Sequence, residues 1–168
     1  METKPVKTDV QALHPATLLG PITIRVANLE RSVRFYEKVV GFSLTRQAAG
    51  YSALGVENEP PLIHLKETPG ARQVQGKSGL YHFAVLLPTR ADLGNALQRL
   101  IDSDIRIGQS DHLVSEALYL SDLDGNGMEI YRDRPRAEWT WRDGIVEMAV
   151  DRHTEKARHY GGPMPHIS

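Results

Sequence analysis

A repeated order of elements constrains this chain more than any single motif does. Ile22-Thr-Ile-Arg-Val26 alternates apolar and polar residues, the period of a half-buried strand. Asn28 then stands as a helix N-cap. Leu29, Val33, Tyr36 and Val40 recur at helical spacing, and Gly41 ends the pattern as a C-cap should. Short β-like stretches follow at 42–45, 51–55 and, after a double proline, 62–65. Residues 68–79 are rich in turn formers, carry no periodicity and read as a linker.

Beyond the linker the same order starts again. Residues 82–87 (HFAVLL) form a strongly apolar strand, and Pro88 and Thr89 open a helix with Asp92 in a capping-box position. Leu93, Leu97, Leu100 and Ile101 give that helix its buried stripe. Strand candidates follow at 105–107, 117–120 and 128–131, with a sharp turn over 122–127 between the last two. One such copy would leave a sheet face bare, whereas two can cover each other. The expected fold is α+β: two tandem βαβββ modules forming a curved mixed sheet around a cleft. Its divisions are an N-terminal arm (1–18), module one (19–67), the linker (68–79), module two (80–136) and a C-terminal extension (137–168). In the extension Trp139 and Trp141 read as a cap on the barrel more readily than as ligand contacts.

Composition narrows the function. A formal net charge of -1 without any Lys/Arg run argues against nucleic acid or a membrane surface as partner. No stretch approaches the ~20 apolar residues of a membrane span. The opening residues are charged and polar, with nothing like a signal peptide, so a cytoplasmic protein is expected. With no cysteine, a metal would have to be held by His, Asp or Glu.

Overlaying the copies by their first and last strands aligns Pro21 with His82 and His64 with Glu129. Three of these four positions carry metal-competent side chains inside otherwise apolar strands, where an unpaired polar group is costly. His64, His82 and Glu129 would form a 2-His-1-carboxylate set that leaves positions open for substrate. Each also has a plainer reading, as a hydrogen-bonded or solvent-facing strand residue. His112, in the loop entering the 117–120 strand, reads either as a general acid or base or as a histidine holding its own turn. Tyr119 could hold a substrate oxygen or simply favour the sheet. The run Asp122-Leu-Asp-Gly-Asn-Gly lacks the bidentate glutamate of a calcium loop and reads as a hairpin turn. The tail histidines His153, His159 and His166 have no regular spacing and are expected to face solvent.

Residues 20–42 (GPITIRVANLERSVRFYEKVVGF) resemble the opening motif of the glyoxalase/bleomycin-resistance/dioxygenase superfamily, also called the vicinal oxygen chelate superfamily. Residues 81–93 (YHFAVLLPTRADL) and 110–135 (SDHLVSEALYLSDLDGNGMEIYRDRP), together with Trp139, resemble the amino-terminal half of bacterial catechol-2,3-dioxygenase-like proteins. The resemblance implies paired βαβββ modules with a divalent metal in the cleft, Fe(II) first, with Mn(II) or Zn(II) as alternatives. His82 and Glu129 match ligand positions of the second module, and His64 falls on a fourth position used in glyoxalase-type members. Pro21 departs from the pattern, standing where many metal-binding members have a histidine. Asp111 and Ser115 join His112 and Tyr119 in the subgroup pattern, as substrate-binding and catalytic residues respectively. The implied function is extradiol ring cleavage of a catechol-type small molecule by a homodimer. The alternatives are a lyase, isomerase or thiol transferase on the same fold, and a metal-free drug-binding module.

Overall fold

The computed structural model describes residues 13–14, 16–72 and 79–149. Most of the N-terminal arm, the middle of the linker and the tail with its three histidines lie outside the described residues.

Module one runs β1 (Ile22–Val26), α1 (Leu29–Phe35), β2 (Ser43–Ala48), β3 (Tyr51–Gly55) and β4 (Pro61–Glu67). Its sheet has the order β1-β4-β3-β2, with β1 parallel to β4 and the other pairs antiparallel. Asn28 caps α1 by accepting from the Arg31 amide at 2.8 Å. The expected single helix to Val40 instead changes pitch: Tyr36–Val40 form a π-helical turn. The carbonyl of Tyr36 accepts from both Gly41 N (3.0 Å) and Phe42 N (2.9 Å). Gly41 takes the left-handed φ of 92° that ends the turn. The wider turn stacks the Phe42 ring on the fully buried Tyr36 ring, 6.2 Å away and 6° from parallel.

Module two runs β5 (Phe83–Leu86), α2 (Arg90–Asp102), β6 (Gly108–Asp111), β7 (Ser115–Ser121) and β8 (Gly127–Asp133), in sheet order β5-β8-β7-β6. The capping box of α2 is complete, with Thr89 and Asp92 bonded reciprocally. The strand expected at 105–107 begins at Gly108 instead. Asp104, at φ 54°, turns the chain sharply after the helix, and Ile105 and Ile107 serve as partly buried packing against the core. The turn at 122–126 is closed by Asp122, whose Oδ1 accepts from the amides of Asp124 (2.9 Å) and Asn126 (2.8 Å). It is the hairpin turn expected from the sequence, with that oxygen already occupied by backbone amides.

Both sheets bury one face against their helices and leave the other open, as alternation along the strands requires. Ile24, Val26, Ile63 and Leu65 of module one and Leu118, Leu120, Met128 and Ile130 of module two belong to one continuous core. Polar ties join the modules as well. The Tyr36 hydroxyl donates to Asp122 Oδ2 at 2.9 Å, and Arg31 pairs with Asp124 at 2.8 Å. Residues 141–142 and 145–146 add a two-stranded hairpin (β9 and β10) from the C-terminal extension.

Candidate active site

The open face of the second sheet carries the only continuous row of chemistry among the candidates. On β8, Glu129 lies between Ile130 and Met128, which point into the core, so its side chain takes the opposite face. In register it stands beside Ala84 of β5 and Tyr119 of β7. His82 immediately precedes β5. The chain there is pressed against Gly127, where an added Cβ would lie 2.3 Å from the carbonyl oxygen of Tyr81. That close approach brings His82 Nε2 to 3.2 Å from Glu129 Oε2. The carboxylate is mostly covered, with 15% of its side chain exposed.

From Glu129 the row continues inward. Tyr119 OH donates to Glu129 Oε1 at 3.0 Å and lies 3.0 Å from His112 Nε2. His112 Nδ1 lies 2.9 Å from the carbonyl oxygen of Ala149, and the Ala149 amide donates back to the His112 carbonyl at 3.2 Å. His112 is thus gripped by the C-terminal extension. Neither composition nor periodicity marks Ala149, because a backbone carbonyl leaves no signature in sequence. Tyr131, on the same face of β8, has its phenol pushed up by burial and by the charges of Asp133 and Glu129, so it stays neutral.

Hydrogen-bond accounting constrains the protons of this row. The Ala149 carbonyl only accepts, so His112 Nδ1 carries a hydrogen. Tyr119 has one hydroxyl hydrogen and can give it to at most one of its two neighbours. Given to Glu129 Oε1, it leaves the Tyr119 oxygen facing His112 Nε2.

The remaining candidates lie elsewhere. His64 is on β4 of the other sheet, in register with Thr23 and Ala53, its ring 5.4 Å from that of Tyr51. Among the described residues no three His, Asp or Glu side chains converge as a metal-binding group. Pro21 just precedes β1. Asp111 pairs in register with Glu116 on the helix-facing side of the sheet, and its Oδ2 accepts from Arg134 at 2.7 Å. Ser115 opens β7, on the same face as Tyr119 by alternation, and its carbonyl accepts from the His112 amide at 2.9 Å. Trp139 donates through its indole to the Arg134 carbonyl at 2.9 Å, under the Arg136 guanidinium, while Trp141 is largely exposed. A feature the sequence did not announce is Glu116, held by Arg90 (3.1 Å), Arg132 (2.8 Å) and Arg134 (3.4 Å).

Residues 18–130 match the family described as the glyoxalase/bleomycin resistance protein/dioxygenase superfamily. The chain is 47% identical over 130 residues to a catechol-2,3-dioxygenase of Bacillus subtilis (strain 168), a stretch that is 76% of this chain and 46% of that protein. The chain therefore spans about half the length of this curated relative. Among solved structures, a glyoxylase/bleomycin resistance protein/dioxygenase domain from Frankia sp. EAN1pec shares the fold with a TM-score of 0.61 at 17% identity, over 70% of this chain and 98% of that one. A genomically encoded fosfomycin resistance protein from Listeria monocytogenes does so with 0.56 at 13% identity, over 70% and 93%. The twofold βαβββ order, the extent of the family match and the identity to the dioxygenase agree: this chain belongs to the glyoxalase/bleomycin resistance protein/dioxygenase superfamily.

Proposed function

We propose that the chain is a cytoplasmic, homodimeric, metal-dependent enzyme of the extradiol dioxygenase type, acting on a catechol-like small molecule. The observation that carries this reading is the hydrogen-bonded row His112, Tyr119, Glu129 and His82 on one open sheet face. The identity to a catechol-2,3-dioxygenase supports the substrate class.

His82 Nε2 and Glu129 Oε2 are an imidazole nitrogen and a carboxylate oxygen side by side, a donor pair that suits Fe(II), Mn(II) or Zn(II). These two residues would hold the ion, and we assign His64 as the third ligand of the assembled protein. When bound, such an ion supplies Lewis acidity towards the two oxygens of a catechol. The chain's own part is proton handling. Glu129 keeps the Tyr119 hydrogen directed at its Oε1, which turns the Tyr119 oxygen towards His112 Nε2. Beside that hydroxyl, His112 would exchange a proton with a substrate oxygen as a general acid or base. The Ala149 carbonyl fixes the ring's orientation throughout. We assign Ser115, on the same face, to substrate binding, and Asp111, from the helix-facing side, to the same set through the His112 turn, whose Leu113 amide donates to its Oδ1 at 2.9 Å. The domain proper spans 19–136, with 137–168 as an extension that reaches back to His112.

The test is the metal content and catechol-dependent oxygen uptake of protein purified without chelator, beside His82→Ala, Glu129→Ala and His64→Ala. One divalent ion per chain, lost in all three variants, is expected. Loss in the first two alone would remove His64 from the site. No retained ion after anaerobic loading with Fe(II), Mn(II) or Zn(II) would overturn the metalloenzyme reading in favour of a binding module.

A further inference from the structure

Where the two modules meet, a groove of about 190 Å³ runs between the end of the π-turn and strand β5. Phe42, Val56, Leu62, Leu86 and Ile130 wall it, and Arg99 of α2 is its one charged residue. None of His82, Glu129, Tyr119 or His112 lines it. Two features set it apart from an ordinary surface crevice. The first is apolar exposure: Val56 (56%), Leu62 (43%) and Leu86 (54%) all stand open to solvent at this one place.

The second is the state of Arg99. Its guanidinium lies flat on Gly41, where an added Cβ would meet Cζ, Nε and Nη2 at 3.0 Å. Nη2 donates to the Val40 carbonyl at 3.1 Å, and Nε is buried without any partner. Among the described residues no carboxylate forms an ion pair with it. A guanidinium brings five N–H donors in a planar fork, and a part-buried one beside apolar walls is costly unless an anion answers it. The place is held for that charge by the glycine and the carbonyl, yet the described residues supply no counter-ion.

We propose that this groove binds a compact monocarboxylate, its apolar body between Leu62, Leu86 and Phe42 and its carboxylate on Arg99. A single cation with no cluster of backbone amides suits one negative charge better than a phosphate dianion. The size sets the body: a dry cavity of about 150 Å³ accommodates benzene, so this groove takes one ring or a short branched chain. The site is independent of the catechol reading, since it shares no residue with the metal-proximal row.

Benzoate is the probe, with benzamide as its uncharged counterpart, followed by amide chemical shifts of the full chain. Saturable benzoate binding near 1 mM is expected, with shifts gathered at Val40, Gly41, Phe42 and Val85–Leu87, and benzamide at least tenfold weaker. Arg99→Met should erase the preference for benzoate over benzamide. Val56→Glu, at an exposed turn that leaves Arg99 and its contacts intact, should weaken benzoate at least tenfold by placing a like charge beside it. Shifts centred on His82 and Glu129 instead, no saturation, or benzoate binding unchanged in both variants would overturn the site.

Discussion

Glu116 shows how a single residue decides its own neighbourhood. It sits under α2 with three arginines turned towards it, of which Arg132 is the most enclosed, at 13% side-chain exposure. Burial is the largest influence on its pKa and pushes it up. The hydrogen bonds from Arg132 and Arg90, together with their charges, outweigh that and leave the carboxyl below the usual glutamate range. A folded-state pKa below the unfolded value of about 4.3 gives stabilisation that is complete above that value and lost as pH falls through the lowered one. Glu116→Gln strands the enclosed Arg132, at a cost of about 2 kcal/mol, less than for a fully buried pair. At pH 7 its melting temperature should therefore lie about 4–8 °C below wild type. The gap should begin to close near pH 5 and vanish in stronger acid. A gap that stays constant down to pH 3 would show that the carboxylate's charge contributes nothing.

Elements explain which parts of this protein are readable in sequence. β1, β3, α2 with its cap, and the 122–127 turn were legible, because each is written locally in periodicity or in a capping or turn residue. The π-turn after Phe35 was not, since it depends on Phe42 reaching back to Tyr36, a contact that helical spacing does not encode. β6 was misplaced for a similar reason: Ile105 and Ile107 are apolar because they pack on the core, and the strand itself, Gly108–Asp111, is mostly polar. At the site, repeat equivalence singled out His82 and Glu129 together with His64, whereas the Ala149 grip on His112 is a tertiary contact made by backbone. The contact between β8 and the segment leading into β5 yields a test at this scale. Gly127→Ala puts a methyl group into the Tyr81 carbonyl and within 3.1 Å of His82 Cβ, so that segment must move off β8. The variant should lose about 2 kcal/mol in urea unfolding, as overpacking of backbone does. It should also show a displaced His82 ring by side-chain NMR, with the Tyr119 and His112 signals kept. Wild-type stability and an unmoved His82 would mean the segment yields freely and does not aim the histidine.

At the scale of the whole molecule, the two modules form one folding unit because their cores are continuous and Asp122 joins them. Its Oδ1 closes the β7–β8 turn through two backbone amides, while its Oδ2 accepts from Asn126 and from the buried Tyr36 hydroxyl of the other module. Burial and the adjacent Asp122 charge push the Tyr36 phenol far above its ordinary value, so it remains a donor at every pH where the protein folds. Asp122→Ala removes the turn closure and leaves that hydroxyl buried without its acceptor, at a combined cost of about 3 kcal/mol. Tyr36→Phe removes only the bond between modules, at about 1 kcal/mol. In native-state hydrogen exchange, the slowest amides report the global unfolding free energy of whatever unit opens together. Asp122→Ala should therefore lower the protection of Ile63 and Leu65 in module one as much as that of Met128 and Ile130 in module two. Tyr36→Phe should lower all four by the smaller amount. If Asp122→Ala loosens β7 and β8 alone, each module is its own cooperative unit and the shared core is a docking surface between two small folds.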